Sequence, residues 1–141
     1  ISGTVRIGAG VTIGENVAIS NFPGQIVEIG DGTHIFAGNI IKGNVKIGRN
    51  ARVESGVRIT GSTEWPTVIG NSVLIKGMTY IFGSTIEDDL LIVHSILQNQ
   101  YVEKVVKKNG EIQPIKYILP HPEGLDSISL LNGRRSRRPQ P

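Results

Sequence analysis

The apolar residues of this chain keep a period of six. Ile29, Ile35, Ile41, Ile47, Val53 and Ile59 recur without a break, and two places before each stand Val27, Thr33, Asn39, Val45, Ala51 and Val57. Six does not match the 3.6 of an α-helix, but it is a multiple of the strand period of two. Residues i−2 and i therefore project to one side of a short strand, and the rest of each hexad is free to turn a corner. Gly30, Gly32, Gly38, Gly43, Gly48 and Gly56 fall at those corners, where positive φ and close backbone approach are needed. A strand and a corner repeated at fixed length predict an all-β solenoid of parallel strands.

The pattern begins with Val5/Ile7, Val11/Ile13 and Val17/Ile19, and it resumes after residue 66 with Thr67/Ile69, Val73/Ile75 and Thr79/Ile81. Twice a step of ten replaces the step of six, which predicts loops leaving the solenoid at residues 20–26 and 60–66. Twelve pairs up to Ile81 predict at least four three-sided coils, stacked at about 4.8 Å. The pattern weakens through Ile86 and Ile92, where a five-residue step reads as a loss of register. From Tyr101 the texture changes. Strand-like runs at residues 101–108 and 111–118 flank Asn109-Gly110, the strongest short-range hairpin signal, and Pro114 suits an edge strand. Residues 120–124 read as a loop, and residues 125–131 weakly suggest a helix. The division expected is a β-helix at 1–97, a hairpin and loop extension at 98–132, and a disordered basic tail at 133–141.

Composition adds limits. A chain of 141 residues fits one domain, and stacked coils supply its core. Fifteen of the 18 glycines lie in residues 1–83, which sets the repeat apart from residues 84–141. With no cysteine, disulfides, thiolate metal sites and cysteine nucleophiles are excluded. No apolar run reaches membrane-span length and no signal sequence is visible, so a cytoplasmic location is expected. The chain opens at Ile1 within a repeat, so an upstream segment is expected too. The net charge of +3 comes from Arg134, Arg135, Arg137 and Arg138; without these four it is −1, and the repeat domain is not a nucleic-acid footprint.

The small-x-Ile/Val-Gly hexads resemble the left-handed parallel β-helix of the hexapeptide-repeat superfamily, which includes acyltransferases, nucleotidyltransferase tails and γ-class carbonic anhydrases. The left hand is implied by that resemblance, since the general crossover rule favours right-handed connections. A narrower likeness to the γ-class anhydrases runs through about 55 residues. Lys42-Gly43-Asn44 stands where that family has Arg-Gly-Asp before an Ile-Gly hexad. Glu54-Ser55-Gly56-Val57-Arg58-Ile59-Thr60 is similar to its Gln-Asp-Gly-Val-x-Ile/Leu-His. Pro66-Thr67-Val68-Ile69-Gly70 follows a loop as in the family, and Ile81-Phe82-Gly83-Ser84-Thr85-Ile86 resembles Ile-His-Gly-Cys-x-Ile.

That family holds one metal per site with three histidines, two from one subunit and one from its neighbour. By position the three fall on Thr60, Gly77 and Phe82. Glycine has no donor, phenylalanine only a ring, and neutral threonine is a poor ligand, so no zinc site and no cofactor are expected. Lys42, Asn44, Glu54 and His94 stand where the resemblance implies a pocket. His34, His94 and His121 are separated by 60 and 27 residues and read as corner or surface residues rather than one metal site. Glu87-Asp88-Asp89 has the chemistry to chelate a cation but reads as a solvated corner. Trp65, beside Pro66 in the second loop, is a candidate partner anchor, as are Arg134, Arg135, Arg137 and Arg138.

Three functions compete on this basis. The first is a non-catalytic, γ-anhydrase-like structural or partner-binding subunit, in a homotrimer or a hetero-oligomeric complex, with a protein partner docking through 101–131. The second is an active hexapeptide enzyme: an anhydrase with rearranged ligands, or an acyltransferase whose base would be His94 or His34. The third is a polymer-forming or regulatory β-helix fragment cut from a longer chain.

Overall fold

The computed structural model describes residues 2–106 and 112–113. They form an all-β parallel β-solenoid of about five turns, consistent with the left-handed β-helix. Three ladders make the sides of a prism. Face A stacks Val5–Ile7, Val27–Ile29, Val45–Ile47, Thr67–Ile69, Thr85–Ile86 and Tyr101–Val102. Face B stacks Thr12–Ile13, His34–Ile35, Arg52–Val53, Leu74–Ile75 and Leu91–Ile92. Face C stacks Ala18–Ser20, Ile40–Gly43, Val57–Gly61, Thr79–Phe82 and Ile96–Gln98.

The register follows the apolar period. Ile7, Ile29, Ile47, Ile69, Ile86 and Val102 stand in one column of paired positions on face A. Ile13, Ile35, Val53, Ile75 and Ile92 form the column of face B, and Ile19, Ile41, Ile59, Ile81 and Leu97 that of face C. Inside the prism these side chains are nearly all excluded from water; Ile47, Val53 and Ile59 are at most 1% exposed. The exception is the first coil, where Ile7 is 45% exposed.

The five-residue steps keep register, contrary to the sequence expectation. Ile86 lies over Ile69, Leu97 over Ile81 and Val102 over Ile86. A corner that drops one residue closes a tighter turn while the strand above it stays paired. The stack therefore has five coils and begins a sixth. Tyr101–Val102 belongs to face A, paired in parallel with Thr85–Ile86, and is not the first arm of the hairpin. The antiparallel pair is shorter, Val105–Val106 with Ile112–Gln113. The Asn109-Gly110 turn and everything from residue 114 onward, including the expected helix and the basic tail, lie outside the described residues.

Both inserted loops leave the corner between faces C and A, at residues 21–26 and 62–66. Gln25 Nε2 donates to Thr63 Oγ1 at 3.3 Å, so the loop of the first coil reaches that of the third. Asn44 fills the corner between them, where its Oδ1 accepts from the Ile26 N–H at 3.3 Å and its carbonyl from the Thr67 N–H at 3.0 Å.

Candidate functional site

The resemblance placed a three-residue ligand set on Thr60, Gly77 and Phe82. Thr60 and Phe82 are neighbours, paired on adjacent coils at the C-to-A end of face C. Thr60 Oγ1 donates to the Ile81 carbonyl at 3.4 Å. Gly77 lies at the other end of that face, in the corner between Ile75 and Thr79, where an added Cβ would meet the Ser55 carbonyl at 2.5 Å. A ring, a hydroxyl and a glycine do not make a zinc donor set. Among the described residues no group of three His, Cys, Asp or Glu side chains is placed to hold a metal.

Around Phe82, face C carries an apolar recess. Tyr80, Phe82, Ile96 and Gln98 line an open hollow of about 420 Å³. Tyr80 is 43% exposed and Ile96 42%, and Met78 at the adjoining corner is 64% exposed. Tyr80 and Ile96 project outward because they stand between two inward residues of a strand, Thr79 and Ile81 or Ser95 and Leu97. One coil away, Arg58 pairs with Tyr80 in register, and its guanidinium lies 5.8 Å from the centre of the ring. Lys42, two coils from Phe82 in the same column, places its ammonium 5.9 Å from the Phe22 ring.

The four proposed pocket residues are not brought together within one chain. Lys42 and Asn44 stand at the C-to-A corner, while Glu54 and His94 stand at the B-to-C corner. Glu54 lies 3.7 Å from both Arg52 and Lys76, which ties it into a surface ion network. His94 is exposed, with φ of 47°, and makes the sharp turn of a shortened corner. Trp65 is half-buried in its loop, where it and Ser62 exchange hydrogen bonds of 2.9 Å and its Cβ packs against Gly83. The four tail arginines lie outside the described residues.

The remaining chemical candidates have structural partners. Asp88 Oδ1 accepts from the Asn71 N–H at 2.7 Å, Glu87 accepts from the Lys104 N–H at 2.7 Å and the Tyr101 hydroxyl at 3.2 Å, and Asp89 pairs with the Lys104 ammonium at 3.1 Å. Asp88 thus ties the fifth coil to the fourth, while Glu87 and Asp89 fasten the start of the sixth to the fifth. His34 is exposed on face B, its Nδ1 in a 2.6 Å hydrogen bond with Thr12 Oγ1.

Sequence reasoning missed Tyr80, Ile96 and Met78. A signal was available in the middle residue of each strand, which is Lys46, Arg52 and Arg58 in the third coil but Val68, Leu74 and Tyr80 in the fourth.

Residues 26–61 match the family described as bacterial transferase hexapeptide (six repeats), so the solenoid carries the hexapeptide repeat. Over 62 residues the chain is 44% identical to the UDP-3-O-acylglucosamine N-acyltransferase of Nitratidesulfovibrio vulgaris (strain Hildenborough). That match covers 44% of this chain and 18% of the relative, so the chain spans under a fifth of the length of the protein it resembles. The finer likeness to γ-class anhydrases rests on the sequence motifs alone. Among the described residues no helix is long and apolar enough to cross a membrane.

Proposed function

We propose that this chain is a non-catalytic structural or partner-binding subunit: a hexapeptide prism of the γ-anhydrase-like plan that lacks the metal ligands and assembles as a homotrimer or within a larger complex in the cytoplasm. One observation carries this. At Phe82, one of the three positions the resemblance gives to a metal, face C presents an open recess of Tyr80, Phe82, Ile96 and Gln98. Exposed aromatic and aliphatic side chains beside an arginine are the composition of protein interfaces. Zinc-activated water needs three donors, which Thr60, Gly77 and Phe82 do not supply. Purified protein should show three times the monomer mass by light scattering, bind well under one zinc per subunit, and hydrate carbon dioxide no faster than background. Stoichiometric zinc with hydration above background would refute it.

A second reading is favoured by the acyltransferase relative. His34, with Nδ1 anchored on Thr12 and its ring exposed on a flat face, has the geometry of a general base for acyl transfer at a subunit cleft. Turnover of an acyl thioester with an amino-sugar acceptor, abolished by His34→Ala, would establish that reading in place of the first.

A further inference from the structure

Building on the partner-binding reading, we infer that face C docks an acidic partner segment, one whose carboxylates stand beside aliphatic or aromatic side chains. The outward residue of each strand changes character along the prism. In the third coil it is Lys46, Arg52 and Arg58, one cation per face. In the fourth it is Val68, Leu74 and Tyr80, all apolar or aromatic. A cationic belt therefore lies directly beside an apolar one, about 4.8 Å away along the axis.

The faces differ in what is left for a partner. On face B, Arg52 already has a carboxylate, Glu54 at 3.7 Å, and stacks 4.6 Å from the Phe36 ring. On face A the outward positions beyond Lys46 are the half-buried Val68, Thr85 and Tyr101, the last already bonded through its hydroxyl to Glu87. On face C, Arg58 pairs with no carboxylate among the described residues, and beyond it lie Tyr80 and Ile96, 43% and 42% exposed. Every outward strand position of face C, from Ala18 to Gln98, lacks a carboxylate, while Lys42 adds a second cation.

Charge selects the occupant. The chain's own arginine-rich tail has the wrong sign for this face, and a second copy presenting its own face C would bring the same cations. A partner segment with a carboxylate for Arg58 and an apolar side chain for the recess satisfies both halves, and arginine and tyrosine are the side chains that dominate such contacts.

The test uses the full chain and two labelled synthetic peptides, one alternating Asp and Leu, the other Lys and Leu, followed by fluorescence anisotropy. The Asp/Leu peptide should bind and the Lys/Leu peptide should not, and added salt should weaken the complex. Arg58→Glu and Tyr80→Ser should each weaken binding about tenfold or more, whereas Lys46→Glu, on face A, should leave it unchanged. Circular dichroism should show all three variants folded. Equal binding of both peptides, no binding of either, or an unaltered Arg58→Glu variant would overturn the proposal. So would binding to phosphatidylserine vesicles in place of the peptide, or a fall in oligomer mass in Tyr80→Ser, which would assign the face to a second copy. Peptide binding is read apart from zinc content and acyl transfer, so failure here is distinguishable from failure of the structural reading.

Discussion

Inward isoleucines of the middle coils each meet an isoleucine, valine or leucine of the coil above and the coil below. Ile47 is 1% exposed between Ile29 and Ile69. Ile47→Asp would bury a carboxylate with no partner in the column and should cost about 3–5 kcal/mol, read as a lower denaturant midpoint. The residues two places earlier work differently. Thr33 and Asn39 are fully buried, yet each is bonded to backbone: Thr33 Oγ1 donates to the Gly48 carbonyl at 2.7 Å and accepts from the Ala51 N–H at 3.0 Å, while Asn39 Oδ1 accepts from the Val57 N–H at 2.8 Å. Thr67, Thr79, Ser84 and Ser95 repeat the arrangement in later coils, so polar groups inside the prism serve the corners that strands leave unpaired. The sequence showed that these positions face inward, because they hold the period. It did not show their bonds, because the N–H groups they accept from, such as those of Ala51, Val57, Ser84 and Ser95, belong to the next coil.

A strand of two to five residues has little stability of its own; the coil holds it by pairing on both sides. Corners are therefore the sensitive elements. Gly43 has φ of 95°, and an added Cβ would collide with the Gly61 carbonyl of the next coil. Gly43→Ala should destabilise by about 2 kcal/mol or more, with a matching fall in Tm, since both the conformation and the space exclude a side chain. The two inserted loops were legible as steps of ten, because an insertion leaves the hexads on either side intact. The shortened corners were not legible. A fixed period read along the chain treats a missing residue as lost register, whereas pairing across coils holds Ile86, Leu97 and Val102 in their columns. The recess on face C was equally hidden, since it is made by residues 16 apart, Tyr80 and Ile96, that only stacking brings together.

The two ends of the whole molecule differ. The first coil leaves Ile7 45% exposed and Val5, Val11, Ile13 and Val17 only partly buried. In the fifth coil Ile92 and Leu97 are fully buried, and Val102 closes over Ile86. Glu87 and Asp89 bind Lys104 across this end. Deleting residues 101–141 should therefore lower Tm by about 5–10 °C through the loss of Val102 and the Lys104 contacts. Unchanged Tm with loss of a co-purifying partner would instead make this segment a docking element and not a cap.

The unequal coils have a consequence for distance. From Ile29 to Ile47 the chain takes 18 residues to climb one step, from Ile47 to Ile69 it takes 22, and from Ile86 to Val102 it takes 16. Each climb is the same strand spacing, so contour length and height are independent, and the prism is graduated in steps of about 4.8 Å. Asn16 and His94 mark the same corner four steps apart. Because the chain has no cysteine, thiol-directed spin labels placed by Asn16→Cys and His94→Cys would attach nowhere else. Their separation should reflect a backbone distance of roughly 19 Å. Duplicating residues 27–44 should lengthen it by one graduation, while adding residues to the 62–66 loop should leave it unchanged.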